Sequence, residues 1–276
     1  MKFGFVTCVQ LGLSCMEAIY DIGGKLDLVM TLKDEQSVNK SGRVYLDDFC
    51  SRHGIELLKA RHVNNAEVVE AFKSHELDWL FIIGWSQIAG DAVLQAPKLG
   101  VLGMHPTLLP VGRGRAAIPW AILKGLDETG VTMFKLDSGV DTGEIVDQVV
   151  IALSQHSTAT ELYNDVNQAH ISLMKKVFPE LESGMAKFRV QDETFATEWP
   201  GRSPEDGDID LEGSVYDAER LVRAVTHPYP GAFFMKHGRK VVVWKAEVLD
   251  LAQECSSELC VSFKDGVLRC TEWQEA

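Results

Sequence analysis

Short apolar runs alternate with segments of helical spacing over the first hundred residues, and this constrains the fold more than any other feature of the chain. Residues 2–9 (KFGFVTCV) read as a buried strand. In residues 14–22, Cys15, Ala18, Ile19 and Ile22 fall on one side of a helix, and Gly23-Gly24 stops it. A strand at 26–30 and a polar loop at 33–43 follow. The pattern then repeats as helix 44–52, strand 55–58, helix 66–75, strand 77–83, helix 87–95 and strand 100–105. Such alternation predicts an α/β, Rossmann-like fold with a mostly parallel sheet and helices on both faces. Ligands collect at the carboxyl ends of strands in sheets of this kind. Two segments are expected there, GWSQ after Ile83 and the Met104-His105-Pro106 turn.

Further on, residues 131–153 read as two strands joined by the glycine-bearing loop 137–143, and a long helix spans about 159–181. The texture then changes. Residues 198–213 are rich in Pro, Gly and acids without periodicity, which marks a linker. A short helix at 218–225, a stop at HPYPGAFF and β-like runs at 241–249, 258–263 and 267–273 complete the chain, with Lys264-Asp265-Gly266 turning the last hairpin. The expected organisation is a domain over 1–198 and a smaller β-rich, partial barrel-like subdomain over 199–276.

The net charge of −13 disfavours nucleic acid, whose binding depends on lysines and arginines that displace counterions. None of the six cysteines (Cys8, Cys15, Cys50, Cys255, Cys260, Cys270) forms a C-x-x-C pair, so reduced thiols acting as small apolar residues are expected, with neither zinc nor disulfides. The N-terminus lacks the form of a signal peptide, and no apolar run is long enough to span a membrane. A cytoplasmic protein is expected. An edge strand of the C-terminal hairpin could pair two copies as a homodimer.

Three groups of residues could carry chemistry. His105 ends a strand, is followed by Pro106 and a glycine-rich loop, and is of the type that titrates near neutral pH. Asp141 lies in Asp137-Ser138-Gly139-Val140-Asp141-Thr142-Gly143. Calcium is a poor reading of that loop, because Gly143 stands where a third ligand belongs and Gln148 where the closing glutamate would be. Two readings remain: a turn with a solvated acid, or a carboxylate that orients His105. Gly112-Arg113-Gly114-Arg115 is either an anion-binding turn or a solvated loop. Gly23-Gly24-Lys25 lacks the spacing of a phosphate-binding loop.

MHPTLLPVGRGRAAIPWAILKG followed by ETGVTMFKLDSGVDTGEIVDQ resembles the folate-dependent formyltransferases. Their members include methionyl-tRNA formyltransferase, glycinamide ribonucleotide transformylase and the sugar-nucleotide N-formyltransferases. The likeness runs from 77 to 151 and resumes over RLVRAVTHPYPGAFF (220–234). It implies an N-formyltransferase using 10-formyltetrahydrofolate as donor, with no metal. The family trio of Asn, His and Asp falls on Gly103, His105 and Asp141, so the asparagine that binds the developing negative oxygen is absent here. Either another donor replaces it or catalysis is impaired. The resemblance also places the pterin between Trp85-Ser86-Gln87-Ile88 and the backbone of Asp137, Gly139 and Val140. For Trp85, core packing and ligand contact stay equally open.

Of the acceptors known in the family, charge and C-terminal length favour an amino-deoxysugar linked to UDP, dTDP or GDP, used for cell-surface glycan or glycoprotein synthesis. On this view Arg113, Arg115 or Arg223 meets the diphosphate, and Tyr229 or Phe233 stacks on the base or packs internally. The alternatives are a methionyl-tRNA formyltransferase-like enzyme and a folate binder impaired by Gly103.

Overall fold

Strands covered on both faces are buried at every position, and three here meet that description: β1 (Phe3–Val6), β2 (Leu28–Leu32) and β4 (Trp79–Ile82). The structure is a computed structural model that describes residues 1–36, 42–251, 253 and 259–275. Residues 37–41 of the expected polar loop and residue 258 of an expected strand lie outside these. Two compact units are distinguished. The first comprises Met1–Arg113, Gly130–Val150 and Val166–Thr197; the second comprises Gly114–Thr129, Ile151–Asp165 and Glu198–Ala276.

A seven-stranded sheet belongs mainly to the first unit. With β3 (Glu56–Ala60), β5 (Gly100–His105), β7 (Glu128–Lys135) and β8 (Ile145–Ala152), its order is β3-β2-β1-β4-β5-β7-β8. Strands β3 to β5 of that order pair in parallel, and β7 adds antiparallel to β5. The mostly parallel α/β expectation is met. From β1 the chain winds outward through β2 and β3, then returns to the other side of β1 as β4. That reversal opens a crevice at the carboxyl ends of β1 and β4. Helices α1 (Gln10–Asp21), α2 (Asp47–His53) and α3 (Ala66–Ser74) make the connections, and α6 (Ala159–Glu182) follows β8. Phe3 and Phe178 meet with ring centroids 4.5 Å apart, which fastens α6 onto the sheet.

Three local expectations needed revision. Helix α4 is only Asp91–Leu94, because residues 87–90 form a braced loop instead. The unforeseen α5 (Ala117–Leu123) begins after Ala116 at φ 55° and carries Pro119 in its first turn. A proline is tolerated there because those N–H groups lack helical partners anyway. Within HPYPGAFF, where a stop was expected, β10 (Ala232–Lys236) forms.

In the second unit a four-stranded antiparallel sheet has the order β10-β11-β13-β12, with β11 (Arg239–Leu249), β12 (Cys260–Phe263) and β13 (Gly266–Glu275). His237 and Gly238, both at positive φ, make the tight turn between β10 and β11. The expected last hairpin forms, Phe263 pairing with Gly266. Helix α7 (Val215–Val225) is capped by Ser214, whose side chain accepts the Tyr216 N–H. Two short strands, β6 (Arg113–Gly114) and β9 (Glu198–Trp199), form a separate ladder, the latter inside the expected linker.

Cys8, Cys15 and Cys50 are buried free thiols, and burial pushes Cys50 up to about 11. Cys260 is a correction, because it is disulfide-bonded rather than a reduced thiol. It sits half-exposed at the start of β12, where a cysteine does not serve as core filling. Cys255 lies outside the described residues. Among the described residues no helix is long and apolar enough to cross a membrane, and no group of three or more His, Cys, Asp or Glu is placed to hold a metal.

Candidate active site

Because β7 is antiparallel to β5, His105 lies opposite Thr132 and Leu102 opposite Lys135. The loop after β7 therefore starts beside the beginning of β5 and has to fold back to reach His105. It does so. Asp141 Oδ2 lies 3.5 Å from His105 Nδ1, and both side chains are largely buried.

The loop's sequence explains its shape. Asp137 Oδ1 accepts from the Gly139 N–H at 3.0 Å and from Thr142 Oγ1 at 2.7 Å. A side chain at Gly143 would place its Cβ 1.7 Å from the Lys135 carbonyl oxygen, so only glycine fits. Asp141 sits at φ 55°, a left-handed conformation that aspartate tolerates better than most residues.

The chemistry of His105 follows from its two neighbours. Its Nε2 lies 2.8 Å from the Gly112 carbonyl oxygen. A carbonyl only accepts, so Nε2 carries the proton and Nδ1 is the nitrogen that can gain or lose one. Nδ1 faces Asp141, and a protonated ring would there complete an ion pair. Nearby His170 is fully buried with Nδ1 on the Val166 carbonyl oxygen at 2.7 Å, and burial pushes its pKa down to about 4. It is neutral near pH 7.

Gly103 precedes His105 on β5. A Cβ there would lie 2.8 Å from Leu136 Cδ2, so the place of an asparagine side chain is filled by Leu136. Thr107 is 1% exposed, and its Oγ1 has no partner among the described residues.

The segment after β4 is braced rather than helical. Gln87 accepts from the Val63 N–H at 2.9 Å and donates to the Arg61 carbonyl at 3.0 Å. Its amide, expected at the ligand, is thus committed to the protein. Trp85 packs half-buried against the core cluster that includes Val63 and Leu80, and Ser86 is exposed. Ile88 and Val140 are 83% and 62% exposed.

Arg113, expected at a substrate anion, is buried and internally paired. Its guanidinium donates to Glu193 at 2.8 and 2.6 Å and to Gln191 Oε1 at 3.2 and 2.8 Å. This pairing holds the Glu193 carboxyl below the usual carboxylate range. In the second unit, Arg115 is exposed. Arg223 is bound to Glu219 at 2.7 Å and to the Ser157 carbonyl at 2.9 Å. Phe233 has Lys240 Nζ 3.6 Å from its ring centroid, which occupies one face of the ring. Tyr229 lines a cavity of about 120 Å³ with Ala116, Pro119, Arg202 and Val225, and burial pushes its phenol up.

Gln191, Glu193 and Thr197 escaped the sequence reading, since FRVQDETFATE carries no motif and no periodicity.

Residues 27–178 match the formyl transferase profile, and residues 202–276 match the formyl transferase C-terminal domain. The chain belongs to the formyl transferase family. It is 28% identical over 252 residues to a methionyl-tRNA formyltransferase of Agathobacter rectalis, covering 91% of this chain and 81% of that protein. An N-formyltransferase from Helicobacter canadensis, solved with folinic acid and dTDP-3-aminofucose, superimposes with a TM-score of 0.71 at 18% identity, covering all of both chains. HypX from Aquifex aeolicus in complex with tetrahydrofolic acid gives 0.70 at 18% identity, covering all of this chain and 44% of that one.

Proposed function

We propose that this formyl transferase moves a formyl group from 10-formyltetrahydrofolate to the amine of a nucleotide-linked amino-deoxysugar, in the synthesis of cell-surface glycans or glycoproteins. The observation that carries the transfer chemistry is His105, with Nε2 fixed on the Gly112 carbonyl and Nδ1 turned to Asp141.

The donor fits the residues present: Ile88 and Val140 offer exposed apolar surface, and the loop between Asp137 and Asp141 offers backbone groups. Trp85–Ile88 and Asp137–Val140 would hold the folate, which supplies a formyl carbon activated on nitrogen. The acceptor's neutral amine forms the new N–C bond, the donor's N–C bond breaks, and the amine proton passes to the donor nitrogen. His105 Nδ1, paired with Asp141, takes and returns that proton or steadies the negative oxygen. With Leu136 filling the place of an asparagine, that oxygen depends on His105, a backbone N–H or a water.

Full-length likeness to an enzyme solved with a dTDP-amino sugar supports the sugar acceptor, as does the acidic charge. The 28% identity to a methionyl-tRNA formyltransferase favours a second reading, with methionyl-tRNA as acceptor. A net charge of −13 weighs against it, because tRNA binding draws on cationic surface. The deciding experiment incubates the enzyme and 10-formyltetrahydrofolate with UDP-, dTDP- and GDP-linked 3- and 4-amino sugars, and with methionyl-tRNA, and reads the added formyl group by mass spectrometry. Formylated sugar is expected. Formylated methionyl-tRNA alone would transfer the assignment, and folate binding without any transfer would leave a catalytically impaired folate binder.

A further inference from the structure

The carboxamide of Gln191 makes every hydrogen bond available to it. Its Nε2 donates to the Asp141 carbonyl at 2.8 Å and to the Gly143 carbonyl at 2.7 Å. Its Oε1 accepts twice from Arg113, at 3.2 and 2.8 Å. The amide cannot be flipped, because arginine never accepts and carbonyls never donate. Gln191 is 5% exposed and Arg113 is 5% exposed, so no water competes for these bonds.

The same segment holds the other partner of His105. Thr197 Oγ1 accepts from the Gly112 N–H and its carbonyl accepts from the Arg113 N–H, both at 2.9 Å. Gly112 is the residue whose carbonyl takes the Nε2 proton of His105. Residues 191–197 thereby fix both ends of the imidazole at once, through Gly112 on one side and the Asp141 loop on the other. Asp141 sits in a left-handed conformation within an exposed turn, and its carbonyl accepts from Gln191. Gln191 therefore holds this turn at two carbonyls, one of them that of the residue whose carboxylate faces Nδ1.

We propose that Gln191 is a positioning residue for formyl transfer: clamped by Arg113, it holds the Asp141 loop so that the carboxylate faces His105. This rests on the reading that His105 and Asp141 form the transfer site, and it gives Arg113 a role in place of substrate binding.

The test compares wild type with Gln191→Ala, Gln191→Glu, Arg113→Lys, Asp141→Asn and the Gln191→Ala/Asp141→Asn double variant. Gln191→Ala is expected to lower kcat by about 30-fold with KM for donor and acceptor within about two-fold. Gln191→Glu, which sets a carboxylate against two carbonyls, is expected to be at least as slow, and Arg113→Lys to lose less. In the Asp141→Asn background the Gln191→Ala change should cost less than about two-fold more, because neighbours acting through one group are not additive. A kcat within two-fold of wild type, or a full multiplicative loss in the double variant, would overturn the proposal.

An arm free of turnover separates this idea from the assigned reaction. The 15N signals of the His105 imidazole, assigned with a His105→Gln variant, are followed against pH. Gln191→Ala should displace the curve in the same direction as Asp141→Asn, whether or not any acceptor is formylated. An undisplaced curve in folded protein sinks the positioning role. Should Gln191→Ala fail to fold, Arg113→Lys gives the same reading, with a smaller displacement expected and none overturning the proposal.

Discussion

Two loops, residues 84–90 after β4 and residues 137–143 after β7, are held in different ways. The earlier loop is tied from the side by residues about 25 positions back: Asn64 bonds the Ile88 carbonyl and the Gly90 N–H, and Gln87 bonds residues 61 and 63. The later loop holds its turn with Asp137 but relies on Gln191, some fifty residues on, for the carbonyls of Asp141 and Gly143. Both leave one apolar side chain exposed, Ile88 and Val140. The difference teaches that one loop is braced to shape a surface, whereas the other, on the proposed function, places a charge. A group that orients a reacting ring has to be held to within about an ångström, which fits the buried, fully bonded clamp behind it.

The comparison breaks most visibly at the charge itself. His105→Ala should remove transfer by about 10³-fold or more and Asp141→Asn by about 10²-fold, while folate affinity measured by tryptophan fluorescence stays within a few-fold. Normal turnover in His105→Ala would show that the later loop places nothing catalytic. Next in size is Gly143→Ala, where Cβ would collide with the Lys135 carbonyl; a loss of about 3 kcal/mol in urea unfolding is expected. A change under about 0.5 kcal/mol would mean the later loop yields as easily as an ordinary turn.

His170 sharpens the contrast through pH. Its folded pKa, about 4, lies below the unfolded value of 6.5, so the unfolded chain binds the proton first. The stability is complete above pH 6.5 and is lost as pH falls toward 4. At pH 5 this amounts to about 2 kcal/mol. His170→Leu should flatten the loss between pH 7 and 5 in denaturant titrations; an unchanged slope would place the charge effect elsewhere. The smallest effect is expected in the earlier loop. Asn64→Ala removes two exposed bonds and should cost about 1 kcal/mol with kcat unchanged. A large fall in kcat there would erase the distinction between the loops.

The proposed pair was legible because His105 and Asp141 sit in local patterns, one closing a strand and one in a glycine-spaced turn. The arginines were not. Arg113 and Arg115 look alike in GRGRA, yet Arg113 is buried against Gln191 and Glu193 and Arg115 is exposed. A position two residues along an irregular segment carries no period from which burial can be read. The Lys240 contact on Phe233 was illegible for a similar reason, because Lys240 reaches that ring only across the β10–β11 pairing.

By itself, the sequence determined the α/β alternation, the sheet's first five strands and the His105 and Asp141 motifs, because each is written in spacings of a few residues. The tertiary structure alone decided which polar groups were spent on the fold. Leu136 fills the place left open at Gly103, Gln87 is turned inward, and Gln191 reaches from fifty residues away to hold Asp141. Hydrogen bonds and excluded volume act through space, and only the folded chain sets which distant residues share it.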